Sequence, residues 1–179
     1  FNKKSSIIWP LYFDPIEYKF NGHNKGNKTT FLWNHRWEND KNPEGFFDFL
    51  KDEKKSGNSF DLIILGKQNN NKVFKTAKRI FDQEIIHYGS IQSRENYLKK
   101  VQESTISIIT SFHDFFGISA IESLLSNVKT YFPKRLVYKE HFPPEVWERI
   151  SYKNPEQLNK LINEPYPLEE AKASIYKKY

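Results

Sequence analysis

The chain has 179 residues, a formal net charge of +6 and no cysteine or methionine, with a pI near 9.3 and a mean hydropathy of -0.76. The lack of Cys excludes disulfides and cysteine metal sites, and no run approaches the roughly 20 apolar residues of a membrane helix. Aromatics at 16% are too many for a disordered chain, and the positive charge favours anionic partners such as nucleotides, phosphates or nucleic acid, although a Lys-rich solvated surface gives the same balance.

The chain opens at Phe1 without a charged-then-apolar leader and is expected to be a piece of a longer protein. An apolar patch, Ile7-Ile8-Trp9-Pro10-Leu11-Tyr12-Phe13, comes first and is too short to be a domain. "NGHNKGNK", 21 to 28, reads as a polar linker. Strands and helices then alternate. Thr29 to Asn34 reads as a strand. Pro43 to Asp52 reads as a helix with Phe46, Phe47 and Leu50 on one face. "FDLIILG", 60 to 66, is a nearly continuous apolar run, as a strand covered on both faces should be. Val73, Ala77, Ile80 and Phe81 keep helical spacing, and "EIIHYG", 84 to 89, is a third strand. Ser93 is placed to cap a helix carrying Tyr97, Leu98 and Val101. "STISIITSF", 104 to 112, is a β-branched fourth strand. Gly117 to Leu125 is a helix, "KTYF" a short fifth strand, and short helices follow Pro133.

This alternation predicts an α/β fold with a doubly wound, parallel, Rossmann-like sheet. Such sheets bind ligands outside the carboxyl ends of their strands. Three informative segments leave strands there: 34 to 41, 87 to 91 and 111 to 118. Neither G-x-G-x-x-G nor G-x-x-x-x-G-K-[ST] is present, so neither nucleotide fingerprint applies. The five His show no metal-ligand spacing.

In "SFHDFFGISAIESL" Gly117 stands where the fourth strand turns into a helix. A helix start offers free N–H groups and a positive dipole end to a phosphate, and glycine allows close approach. Glu122 lies over one turn further, flanked by Ile121, Leu124 and Leu125. A carboxylate beside an apolar face needs partners, and ribose hydroxyls suit it; solvent exposure or a nearby Lys would satisfy it equally well. Arg36 and Lys41 precede a helix start, where two cations can neutralise a diphosphate. Facing solvent among Glu38, Asp40 and Glu44 is the alternative. Trp33 and Trp37 read as packing residues, and His87, His113 and His141 have no assignable partner.

Together these residues resemble the C-terminal, donor-binding domain of retaining GT-B glycosyltransferases, which carry Arg-x4-Lys after the first strand and Glu-x7-Glu around a Phe-Gly. Here the pairs are Arg36 and Lys41, and Asp114 and Glu122, with the first acid shortened to Asp. "IIWPLYFD", 7 to 14, looks like the interdomain segment of that family. More narrowly, "LWNHRWENDKNPEGFF", "HDFFGISAIES" and "YFPKRLVYKEHFPPE" are similar to the tRNA-queuosine α-mannosyltransferases. The likeness covers about residues 7 to 163; Asn127, Val128 and Lys139 depart from it.

The resemblance implies GDP-mannose as the nucleotide-sugar donor, queuosine in tRNA as the acceptor of the full-length enzyme, no metal cofactor, no membrane and a cytoplasmic location. Arg36 and Lys41 would hold the diphosphate, and Asp114 would touch the sugar. The Phe116-Gly117-Ile118 backbone would meet phosphate and sugar, and Glu122 would bind the ribose. Tyr88-Gly89-Ser90-Ile91 would frame the base. The implied divisions are an interdomain segment and linker over 1–28, a donor domain over 29–163, and a helix over 164–179 that would pack back on a missing N-terminal domain. The active site would lie between two domains, so this segment alone would bind nucleotide weakly and transfer no sugar. A GT-B transferase acting on a glycolipid or small metabolite, and a non-catalytic nucleotide- or nucleic-acid-binding module, are the alternative readings.

Overall fold

The computed structural model describes residues 13–18, 26 and 28–179. The apolar patch 7 to 12 and most of the linker therefore lie outside the described residues.

Six parallel strands form one sheet in the order β3-β2-β1-β4-β5-β6. They are β1 (Thr29–Trp33), β2 (Phe60–Leu65), β3 (Ile85–Gly89), β4 (Ile106–Ile108), β5 (Lys129–Pro133) and β6 (Ser151–Tyr152). The chain winds outward from β1 in one direction and then, after β4, in the other. The expected doubly wound sheet is present, and its order is that of dinucleotide-binding folds. The reversal falls between β1 and β4, and ligands bind these folds at such a switch point.

Alternate residues of β1 explain why it is apolar on both sides. Phe31 and Trp33 enter one core layer with Phe46, Phe47 and Leu50 of α1 (Pro43–Lys55), and with Phe74 and Ala77 of α2 (Lys72–Ile80). Leu32 points the other way, with Ile63, Leu65 and Val101 of α3 (Arg94–Gln102). On that second face α4 (Ile118–Leu125), α5 (Pro144–Ile150) and α7 (Leu168–Lys178) gather Ile121, Leu124, Trp147, Ala171 and Ile175. Leu158 and Leu161 of α6 (Pro155–Ile162) return to the first face. Trp33 and Trp37 are both buried, as packing residues should be. Trp37 stacks on Phe74 with ring centroids 4.4 Å apart and planes at 4°.

The fourth strand departs from expectation. The β-branched run over 104 to 112 predicts nine residues, and β4 has three. Beyond Ile109, whose N–H still donates to the Tyr131 carbonyl at 2.9 Å, the ladder is exchanged for side-chain bonds. Arg135 donates through Nε to the Ser111 carbonyl at 2.9 Å and through Nη2 to the Thr110 carbonyl at 2.5 Å. The Thr110 hydroxyl donates to the carbonyls of Lys41 and Asn42 at 2.8 and 2.9 Å. Buried backbone groups must be paired, and these partners let the chain leave the sheet early. The sixth strand, two residues long, has no sequence signal of its own.

Candidate donor-binding site

The exits of β1 and β4 and the start of α4 enclose a cleft of about 520 Å³, within the range of small-molecule sites. Arg36, Lys41, Asp114, Phe116, Gly117, Ile118 and Glu122, all named from sequence, line it. A second lobe of about 260 Å³ shares Asn34, His35, Arg36 and Tyr97 with the first and is lined by Ser90 and Ile91. Tyr88 and Gly89 line neither lobe. The Tyr88 ring packs on Trp37 at 4.8 Å, and its hydroxyl donates to the Phe74 carbonyl at 3.1 Å.

Lys41 and Arg36 have different surroundings. Lys41 is buried at 8% exposure, at the end of a short 3-10 turn, Asn39–Lys41. Its ammonium donates to the His113 carbonyl at 2.6 Å and pairs with Asp40 at 3.2 Å and Asp114 at 3.5 Å. The Arg36 side chain is 64% exposed and pairs with Glu38 and Asp40, each at 3.3 Å. Thus Oδ2 of Asp40 touches both cations. Pairs as exposed as those of Arg36 are worth about 0–1 kcal/mol, so a phosphate can replace them at little cost.

Gly117 precedes α4 at φ +86°, a conformation that suits glycine. A Cβ here would lie 2.5 Å from Cε1 of Tyr138. Asp114 fastens the turn: its Oδ1 accepts from the Gly117 N–H at 2.8 Å and the Phe116 N–H at 3.4 Å. Its Oδ2 accepts from the Tyr138 hydroxyl at 3.1 Å. No side chain among the described residues caps α4, so the N–H groups of its first turn and its dipole are left to the cleft.

Glu122 is 9% exposed. Arg94 Nη1 donates to its Oε1 at 2.5 Å, and the Tyr97 hydroxyl to its Oε2 at 3.0 Å. The carboxylate beside the apolar face therefore has an arginine partner rather than a lysine. Burial, then the Glu122 charge, pushes the Tyr97 phenol up.

Arg94 and Tyr97 belong to no quoted motif, and Asn34 and His35 stand in the "LWNHRWE" stretch without a role assigned from sequence. Asn34 Nδ2 donates to the Ser119 carbonyl and the Ser123 hydroxyl, both at 2.9 Å, tying β1 to α4. His35 Nδ1 lies 2.7 Å from the Ser119 hydroxyl. Burial depresses the His35 pKa to about 4, with Lys41 acting in the same direction and Asp114 and Asp40 against. Asn34 Oδ1 and His35 Nε2 are buried and have no hydrogen-bond partner among the described residues. The strand-exit positions of Asn34 and His35 were the available clue. Among the described residues no group of three His, Asp or Glu side chains is placed to hold a metal ion, and no helix is long and apolar enough to cross a membrane.

The family model described as "Glycosyl transferases group 1" matches residues 15–175. The chain belongs to that family. Among solved structures, this glycosyltransferase domain is similar to the C-terminal domain of a glycosyl transferase group 1 protein, LpcC, from Francisella tularensis. The TM-score is 0.72 at 16% identity, over 94% of this chain and 98% of that one. TarM gives a TM-score of 0.69 at 16% identity, over 91% of this chain and 34% of TarM. These likenesses show the fold. A curated relative, the tRNA-queuosine alpha-mannosyltransferase of Drosophila melanogaster, is 32% identical over 116 residues, 64% of this glycosyltransferase chain and 30% of the relative. The chain thus spans under a third of that relative's length.

Proposed function

We propose that this domain is the donor-binding half of a retaining glycosyltransferase that moves mannose from GDP-mannose to queuosine in tRNA. The observation that carries the reading is one cleft, at the switch point of the sheet, lined by a buried lysine, an uncapped helix start and a buried carboxylate. The 32% identity to a queuosine mannosyltransferase supports the choice of sugar and acceptor.

In this reading Lys41 and Arg36 take the diphosphate, Arg36 by leaving Glu38 and Asp40. Backbone N–H groups from Ile118 onward face the phosphates. The ribose hydroxyls donate to lone pairs of Glu122 that Arg94 and Tyr97 do not use. The base enters the second lobe beside Ser90 and Ile91, whose loop is positioned by Tyr88 and Gly89. Asp114 fixes the Gly117 turn and meets the sugar through its remaining lone pairs. As the sugar–phosphate bond breaks, the electron pair stays on the diphosphate, and the two cations and the helix dipole stabilise it where it forms. The acceptor hydroxyl attacks from the same face and its proton passes to an oxygen of the departing diphosphate, so configuration is retained. A further domain of the full-length protein supplies the acceptor site.

Calorimetry of this chain with GDP, GDP-mannose, UDP and ADP tests the donor. Guanine nucleotides should bind best, and a preference for UDP or ADP overturns the assignment. For the acceptor, full-length protein should mannosylate tRNA that contains queuosine and leave tRNA lacking it unchanged. Equal transfer to a glycolipid or small metabolite overturns the tRNA reading.

A further inference from the structure

Arg94, at the start of α3, belongs to no motif, yet all three of its guanidinium nitrogens are engaged by different partners. Nη1 donates to Glu122 at 2.5 Å, Nε to Glu17 at 2.7 Å, and Nη2 to the Tyr18 hydroxyl at 3.0 Å. Its guanidinium also lies over the Tyr18 and Tyr97 rings, 5.9 and 5.5 Å from their centroids. A planar, rigid fork held at three points has little freedom left. The segment 13–18 that supplies two of those points is itself docked. Phe13 and Tyr18 are buried, and the Phe13 ring packs on Phe116 at 6.1 Å and on Tyr179 at 6.2 Å.

A carboxylate can accept from both hydroxyls of a vicinal diol, and does so best when its plane is already fixed. A free glutamate side chain would have to be ordered on binding, at a cost in rotamer entropy. Here Arg94 holds one oxygen and Tyr97 the other, while Glu122 still lines the cleft. We propose that Arg94 is the positioning residue for Glu122, and that through Glu17 and Tyr18 it couples the docked segment 13–18 to recognition of the ribose diol. The inference rests on the reading of Glu122 as the ribose acceptor. Coupling between two sites is reciprocal, so a nucleotide carrying the diol tightens the segment as the segment tightens the nucleotide.

Binding of GDP and of 2′,3′-dideoxy-GDP to this chain, measured by calorimetry, tests it. A hydrogen bond to a charged group is worth about 1.5–3 kcal/mol, so wild type should prefer GDP by about tenfold or more. Arg94→Gln should cut that preference to within about twofold while leaving affinity for the dideoxy nucleotide within about twofold of wild type. Arg94→Lys keeps the charge without the fork and should recover part of the preference. Glu17→Gln should lower it by a smaller factor. Hydrogen exchange of a peptide covering 13–18 should slow with GDP and not with the dideoxy form.

If Arg94→Gln keeps the full preference, or loses both nucleotides equally, Arg94 does not position Glu122 and the proposal fails. Glu122→Gln separates this from the broader reading. If it loses the preference while Arg94→Gln keeps it, only the positioning role falls. If Glu122→Gln keeps it, the ribose assignment falls and takes the positioning role with it.

Discussion

Lys41 Nζ lies 2.6 Å from the carbonyl oxygen of His113, so one ammonium group joins the Thr110 hydroxyl and the Asp40 carbonyl in tying the β1 exit to the β4 exit. The same group faces Asp40 and Asp114. Lys41→Ala would leave two partly buried carboxylates without this cation and a carbonyl without this donor. Breaking such a buried arrangement costs roughly 2–4 kcal/mol. Urea denaturation should show that loss, and calorimetry should show GDP affinity falling by more than about tenfold. Lys41→Arg should not restore either, because a broad planar fork does not fit where a point charge sits. Wild-type stability in the alanine variant would refute the pinning role.

Arg36 should behave in the opposite way. Its side chain is exposed and its ion pairs lie at 3.3 Å, so Arg36→Ala should change stability by under about 1 kcal/mol. Nucleotide affinity should nevertheless fall by at least about tenfold if Arg36 takes the diphosphate as proposed. The salt dependence of GDP binding should weaken in parallel. A variant that binds GDP like wild type would remove Arg36 from the diphosphate site.

Gly117→Ala combines two penalties. The residue sits at φ +86°, where an L side chain is strained by about 1–2 kcal/mol, and its new Cβ meets Tyr138 at 2.5 Å. The expected cost is about 2–4 kcal/mol, or a Tm lower by roughly 5–15 °C for a domain of this size. Adding Tyr138→Leu should relieve the clash but not the backbone strain, and so recover part of the loss in a thermal melt. No recovery would mean that Tyr138 does not set the limit.

The reason the fold was legible is visible in individual strands. "FDLIILG" is apolar throughout because both faces of β2 are covered, and Phe31, Leu32 and Trp33 alternate between two cores. The length of β4 was not legible, since Thr110 and Ser111 are bonded by Arg135, 24 or more residues away. Glu122 could be picked out because its apolar neighbours put a carboxylate where a carboxylate needs partners. Arg94, 28 residues earlier, could not be matched to it from spacing. Tyr97 reads as a core residue by helical period, and only the fold turns its hydroxyl to Glu122. His35 sat in the most distinctive stretch of the sequence, but its burial follows from how α4 closes over the β1 exit.

That burial makes the last prediction. His35 has a pKa near 4 in the folded protein, against about 6.5 when unfolded. Between these values the unfolded chain binds a proton that the folded one refuses. The folded state is therefore favoured as pH rises through the window. The contribution is complete above about pH 6.5 and is lost as pH falls towards 4, by up to about 3 kcal/mol. His141, also depressed by burial, acts with the same sign. His35→Gln retains a polar group near the Ser119 hydroxyl but cannot titrate. Urea denaturation at pH 7.5, 6.5, 5.5 and 4.5 should give the variant a shallower loss of stability than wild type, with the residual slope carried by His141 and the carboxylates. Identical slopes for the two proteins would show that His35 is not held neutral by the fold.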